Sequence, residues 1–287
     1  MGKIYHYCSA ETFLNIVKHR KLWLGDIRYM NDFMEVNWFM DSFQELLDID
    51  LTDAHHKRLF ENIKSNLSIT KPYICCLSQS GDILSQWRAY AQDGHGIAIG
   101  FDPSKFNVIS NSSVHPNMYV KNSFFLNNIK YLTKLEIKNT VLTLLQKYPN
   151  VVDFFKDKKS NFSDISVDLQ NEITGLSMAI MHMALHTKNP AFIEEKEARL
   201  IYNHLPLYHN EDQPLNSTSR DFLNSKKMRI SNGNLTSYFE FIIPDEAISE
   251  IILGPKCIFD FADVKDFLLL NGLKHDVIID KSKASYR

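Results

Sequence analysis

The most pointed group of reactive side chains is Glu195-Lys196-Glu197-Ala198-Arg199, which leads into the apolar run Leu200-Ile201-Tyr202. On a strand, alternate residues share a face, so Glu195, Glu197 and Arg199 would lie together. The arginine would hold one carboxylate ionised and oriented. A carboxylate held that way can face positive charge developing on a substrate. The plainer alternative is a solvated sheet edge, because edge strands often carry inward charges.

Tyr5-His6-Tyr7, followed by Ser9, forms a second constellation. A strand histidine is more often bonded to a neighbouring carbonyl than used in chemistry. Asn31-Asp32-Phe33-Met34-Glu35 marks a loop-to-helix junction, where Asn and Asp serve as caps and turn formers. In Ser85-Gln86-Trp87-Arg88-Ala89-Tyr90, Trp87 and Tyr90 share one helix face, either as core or as a platform for a planar ring. His182 and His186 stand four apart, a spacing that can place two imidazoles on one ion. The intervening Met183, Ala184 and Leu185 supply no acid, so no metal is expected. The sequence contains no phosphate-binding loop, GxGxxG or GxSxG pattern.

These residues need elements to position them. Lys3 to Cys8 reads as a strand with Ile4, His6 and Cys8 on one face, and Ser9 caps a helix running to about Arg20. Leu22-Trp23-Leu24 is extended, Asp26 to Asp32 a loop, and Phe33 to about Leu47 helical. A buried strand spans Tyr73 to Leu77, Asp82 caps the helix that carries Trp87 and Tyr90, and Gly96 to Phe101 is a central strand. Between about Asn127 and Thr187 the pattern is helical, with a stripe of Leu169, Ile173, Leu176, Ile180 and Met183 and a turn at Asn161 to Asp164. Strands resume at Ala198 to Tyr202, Tyr238 to Ile243, Ile251 to Leu253 and Asp276 to Ile279, with a late helix from Ala262 to Asn271. Helices between and outside strands, without regular alternation, predict an α+β fold. The expected form is one domain over 1–287, a mixed sheet with a helical insertion at about 127–187.

Composition narrows the function classes. The 287 residues are 44% hydrophobic and 23% charged, with a formal net charge of -2. A protein built chiefly to grip phosphate backbone carries a basic excess, which this chain lacks, although a local patch is compatible with that balance. Cys8, Cys75, Cys76 and Cys257 contain no Cys-x-x-Cys pair, and adjacent Cys75 and Cys76 would point to opposite faces. Reduced thiols, no signal-like start and no membrane-spanning run together imply a cytoplasmic protein.

Four blocks in order resemble the bacterial family catalogued as domain of unknown function 2971. They are Tyr5-His6-Tyr7 through Leu22-Trp23-Leu24, then Asn31-Asp32-x-x-Glu35, then Cys76-Leu77-Ser78 through Trp87, Tyr90 and Gly96 to Asp102, and finally Phe192-x-x-Glu195-x-Glu197-x-Arg199. Ile252-Leu253-Gly254-Pro255 and Ser285-Tyr286-Arg287 look like the closing segments. Phe33 stands where the family usually has proline. More distantly, the order of features resembles the ADP-ribosyltransferase fold, although His6 stands where a first-strand arginine usually accompanies Glu-x-Glu.

That resemblance implies an NAD-consuming transferase or glycohydrolase, acting as a bacterial toxin or anti-phage defence effector on a protein or nucleic-acid acceptor. It implies that His6 holds a ribose hydroxyl, that Tyr90 or Trp87 flanks the nicotinamide, and that Glu197 or Glu195 faces the nicotinamide ribose. Tyr7, Ser9, Ser78, Arg199 and Asn31 are the other implied NAD contacts. Two further readings are a non-catalytic sensing module of a defence system, and a nuclease or phosphoesterase holding Mg²⁺ on Asp32, Glu35, Glu195 and Glu197. The transferase reading requires His6 and one of the two glutamates to line one cleft within about 10 Å of each other, the span over which side chains share one small ligand, and a placement on opposite faces of the sheet would contradict it.

Overall fold

The computed structural model describes residues 2–29, 33–46, 71–106, 108–110, 123–156, 165–204, 226–231, 233–273 and 276–286, with a few isolated positions between 53 and 65. In chain order the strands and α-helices are β1 (Ile4–Cys8), α1 (Ala10–His19), β2 (Lys21–Asp26), α2 (Phe33–Leu46), β3 (Lys71–Ser78), α3 (Leu84–Tyr90), β4 (Ile97–Phe101), β5 (Ile109–Ser110), β6 (Ser123–Asn128), β7 (Lys130–Tyr131), α4 (Lys134–Leu145), α5 (Pro149–Lys156), α6 (Val167–Leu185), β8 (Thr187–Lys188), β9 (Glu197–His204), β10 (Lys227–Ser231), β11 (Asn234–Ile242), β12 (Ile248–Leu253), α7 (Phe261–Leu270) and β13 (Ile278–Lys281). The main sheet runs β10-β11-β2-β3-β1-β4-β12-β13, and β9 joins β3 to β6. Most pairs are antiparallel, while β12–β13 and β5–β6 are parallel. This is the α+β mixed sheet that the pattern predicts.

The sheet is forked at β3. One side of β3 pairs with β9 along its full length, from Lys71 against His204 to Ser78 against Glu197. On the other side, Tyr73 and Ile74 pair with β2, and Ser78 pairs with Tyr5 of β1. Between those contacts β1 and β2, which run parallel to each other, diverge around α1. The local chemistry supports the crossover. Ser9 caps α1 by accepting from Thr12 N at 3.1 Å, Arg20 ends the helix in a left-handed turn, and Phe13, Ile16 and Val17 are buried.

Two apolar layers cover the sheet. Ile4, Cys8, Cys75, Leu200 and Tyr202 join the layer beneath α1, and Ile74, Phe125 and Ile201 join the layer beneath the helices α2 and α4–α6. Cys75 and Cys76 do face opposite layers, and none of the four cysteines forms a disulfide among the described residues. The stripe on α6 packs inward as predicted, with Ile173, Leu176 and Ile180 buried and Leu169 and Met183 against them.

Several boundaries differ from the sequence reading. Asn127 and Asn128 belong to β6, because Phe124 and Leu126 face one apolar layer and Phe125 the other. The helical stretch therefore occupies α4 to α6, and the turn expected at Asn161 to Asp164 lies outside the described residues. Asp82 does not cap α3, whose first turn follows Ile83 without a side-chain cap. Its carboxylate instead accepts from Trp87 Nε1, Ser282 Oγ and Lys283 N, tying α3 to the chain after β13. Asp93, just beyond α3, accepts from Tyr286 and Lys256 in the same way. No described helix is long and apolar enough to cross a membrane.

Leu176 is fully buried at the centre of its stripe. Leu176→Asp is expected to lower stability by several kcal/mol, since an unpaired carboxylate would enter an apolar layer. A thermal midpoint unchanged in that variant would contradict this packing.

Candidate functional site

The fork opens into a cleft of about 970 Å³. Paired residues of neighbouring strands share a face, so Tyr5, Ser78 and Glu197 stand together on its floor. The same face continues through Ile74, Gly25 and Tyr238 to Lys227, and Trp23 pairs with Glu240 beside them. Tyr29, Gln86 and Tyr90 contribute from the rim, and Lys188 and Glu195 from the connection that precedes β9.

His6 also lines this cleft, but by register it belongs to the opposite face of β1. It reaches the cleft through the fork, where its ring donates to the Cys76 carbonyl in the gap between the two partners of β3. Desolvation pulls its pKa below the ordinary histidine range, and the carbonyl contact only partly opposes this. A neutral ring that donates from one nitrogen keeps an acceptor on the other. His6 and both glutamates thus line one cleft, but by register His6 and Glu197 belong to opposite faces of the sheet, which counts against the transferase reading for that pair and leaves Glu195, off the strand, as its carboxylate.

The carboxylates are organised by two cations. Arg199 is fully buried, donating from Nε to Glu197 Oε1 at 2.5 Å, from Nη2 to Glu197 Oε2 at 3.3 Å and from Nη1 to the Leu185 carbonyl at 3.0 Å. The Lys188 ammonium lies 3.0 Å from Glu197 and 2.7 Å from Glu195. The alternative of a solvated edge does not hold, because β9 is an interior strand between β3 and β6.

Nor does Glu195 sit on that strand. It ends a 3₁₀ turn, Pro190–Glu195, and Lys196 adopts a left-handed φ of 46° before β9 begins. Ser78 Oγ donates to the Glu195 carbonyl at 2.7 Å, and Gln79 N donates to the Lys196 carbonyl at 2.8 Å, which fixes the bend against β3. Glu195 and Glu197 therefore converge through Lys188 and not through strand alternation. Lys188 sits on β8, and the sequence reading missed it because no local pattern relates it to Glu197.

The remaining candidates divide. Tyr7 and Ser78 line the cleft, and Tyr7 OH is already used, donating to the Ser80 carbonyl and accepting from Ile83 N. Tyr90 lines it and is about half exposed, at 52%. Trp87 does not reach it: the ring is fully buried, edge-on to Tyr7 at 4.8 Å, which corrects its expected place beside the nicotinamide. Ser9 is occupied as the α1 cap. Arg199 acts behind the wall, through Glu197. Asn31 and Asp32 lie outside the described residues, as does the side chain of Glu35 on α2.

His182 and His186 stack at 4.1 Å between ring centres, but both ring nitrogens of His186 are engaged. Nδ1 donates to the His182 carbonyl at 2.7 Å, so Nε2 is the acceptor for Asn127 Nδ2 at 2.8 Å. Burial pushes the pKa of His186 down to about 4, with a further contribution from Arg199, and that of His182 down to about 3, with a further contribution from His186.

The segment from α3 to β9 carries Tyr90 and the whole carboxylate cluster, and a family match falls on that segment, at residues 86–200. The family is DUF2971, a protein family of unknown function. The DUF2971 stretch contains Lys188, Glu195, Glu197 and Arg199, while β1 with His6, the edge strand β10 and its neighbour β11 lie outside it. No curated protein and no solved structure matches the chain.

Arg199→Met would strand the buried Glu197 carboxylate beside Lys188 alone. It is expected to cost about 3–5 kcal/mol, read as a fall in denaturant midpoint, whereas Glu195→Gln at the more open position should cost far less. Acid sensitivity supplies a second check. Unfolded, the two histidines titrate near the usual ~6.5, and folded they resist protonation to about 3 and about 4. The unfolded chain therefore binds more protons in between, and stability should fall as pH drops from about 6.5 towards 4. His186→Gln should flatten the slope of melting temperature against pH between about 6.5 and 5, above the range where ordinary carboxylates titrate.

Proposed function

We propose that the cleft binds NAD and cleaves it at the nicotinamide ribose, as an ADP-ribosyltransferase or NAD glycohydrolase would. The observation that carries this reading is that the first-strand His6 and the late Glu195-x-Glu197 line one cleft of about 970 Å³. That volume is at the upper end for small-molecule sites and suits a dinucleotide. Tyr90 offers an exposed ring at the rim, and His6 an acceptor for a hydroxyl.

Glu195 is the better placed of the two carboxylates for the chemistry. Glu197 is saturated by Arg199 and Lys188, whereas Glu195 meets Lys188 through Oε2 and is the more exposed. As the glycosidic C–N bond breaks, nicotinamide departs with the bonding electron pair and the ribose gains oxocarbenium character. A fixed carboxylate stabilises that charge, and water or an acceptor nucleophile then bonds to the same carbon and releases its proton to solvent. Glu197 positions Lys188, which in turn holds Glu195. A magnesium-dependent nuclease is less well served, because the Lys188 ammonium already stands between the two carboxylates.

Glu195→Gln is expected to slow nicotinamide release ~100-fold or more. NAD affinity should change much less, since the ribose is uncharged before the bond breaks. Chromatography of released nicotinamide, with cell extract as acceptor, and calorimetry with NAD provide the two readouts. Background release from wild type and variant alike would overturn the reading, and NAD binding without turnover would favour the sensing module. A toxin would also slow growth on overexpression, and the variant would relieve it.

A further inference from the structure

At the far end of the cleft from Glu197, two lysines meet one carboxylate, and Arg229 stands on the same strand as one of them. Lys21 Nζ and Lys227 Nζ lie 2.8 and 2.9 Å from the same Glu240 oxygen, and Glu240 is buried. The Arg229 guanidinium stacks 5.3 Å from the Trp23 ring centre and 5.8 Å from that of Tyr238. Its Nε is buried and donates to nothing among the described residues. A buried donor without a partner is costly in a folded protein, and a ligand acceptor would relieve it. Lys21, Lys227, Arg229, Glu240 and Trp23 all line the cleft.

Three positive side chains against one carboxylate leave an excess of positive charge where the wall is also aromatic. Trp23 is still 48% exposed, so a large part of its surface is available beside the cations. The excess charge selects an anion, and the exposed indole selects a planar ring attached to it. We propose that this end of the cleft, formed by β10, β11 and β2, is a subsite for a nucleoside phosphate. Arg229 and Lys227 hold the phosphoryl oxygens, and Trp23 packs against the base. Two strand spacings, roughly 10 Å, separate Trp23 on β2 from β9, and four, roughly 19 Å, separate Lys227 and Arg229 on β10 from it, so only a ligand as long as an extended dinucleotide could approach both ends of the cleft. The nucleotide is either free or the adenylate half of the dinucleotide proposed above. The subsite rests on its own residues, and only the second source depends on that reading.

Calorimetric titration of the full chain with ADP, adenosine and inorganic pyrophosphate tests this. ADP should bind more tightly than adenosine, and its affinity should fall as salt is raised. Arg229→Met should weaken ADP binding roughly tenfold or more, the usual size of one lost charge-assisted contact. Arg229→Lys should restore it only in part, because an ammonium lacks the planar fork. Lys227→Met provides an independent variant should the Arg229 substitution disturb folding, since Lys21 still neutralises Glu240. Unaltered ADP affinity in both folded methionine variants, or no ADP binding at millimolar concentration, would overturn the subsite. Competition by NAD identifies the dinucleotide as the source, and its failure identifies a free nucleotide. ADP binding through Arg229 with no nicotinamide release would keep the subsite and remove the NAD reading. Nicotinamide release that is unaffected by Arg229→Met and Lys227→Met, while both weaken ADP binding, would keep the NAD reading and assign the subsite to a free nucleotide.

Discussion

The arrangement of this protein depends on accommodating one guanidinium without water. Arg199 lies wholly inside, and desolvating such an ion costs several kcal/mol unless its donors are met. Glu197, two residues earlier on the same strand face, meets two of them. The Leu185 carbonyl, at the negative end of α6, meets a third. The last turn of the helical segment is thereby fastened to the interior of the sheet. Strand alternation then assigns the neighbours, with Ala198, Leu200 and Tyr202 entering one apolar layer and Ile201 the other. A shift of β9 by one residue would turn both charges into the layer beneath α1, so the ion pair also fixes the register.

The cleft follows from a different constraint, the inability of β3 to keep one partner along its free side. β1 reaches it at Ser78 and β2 at Tyr73 and Ile74, and α1 is the connection between the two. The gap gives access from one face of the sheet to residues of the other, which is how His6 shares a cavity with Glu197. Its bond to the Cys76 carbonyl is the ordinary use of a strand histidine. Lining a cleft adds a second use for the remaining nitrogen.

Much of this was legible in the sequence wherever a local period or cap carried the signal. Ser9, the strand at Tyr73 to Leu77, the uncharged run from Ile97 and the stripe on α6 all announced themselves. What stayed hidden was set by distant partners. Trp87 and Tyr90 share a helix face in the sequence pattern, yet one is sealed against Tyr7 and the other is half exposed, a division made by β1 and not by α3. Asp82 looks like a cap, but two of its three partners lie 200 and 201 positions away. The Glu195-Lys196-Glu197 run reads as continuous strand, and only the left-handed turn at Lys196 breaks it. Lys188, the cation that joins the two glutamates, has no sequence signature. Neither does the cationic end at Arg229, which is assembled from three strands.

The fastening of α3 has a consequence for the order in which the protein becomes competent. Tyr90 stands on a helix whose base is held by Asp82 and whose end is held by Asp93. The groups that satisfy them, from Ser282 to Tyr286, are made 193 to 201 positions later. A ribosome adds roughly 5–20 residues each second, so α3 emerges many seconds before its anchors do. During that interval the wall carrying Tyr90 lacks its clamps. A nascent chain, even one with the carboxylate cluster already translated, is therefore held short of a finished cleft until Ser282 to Tyr286 have been made.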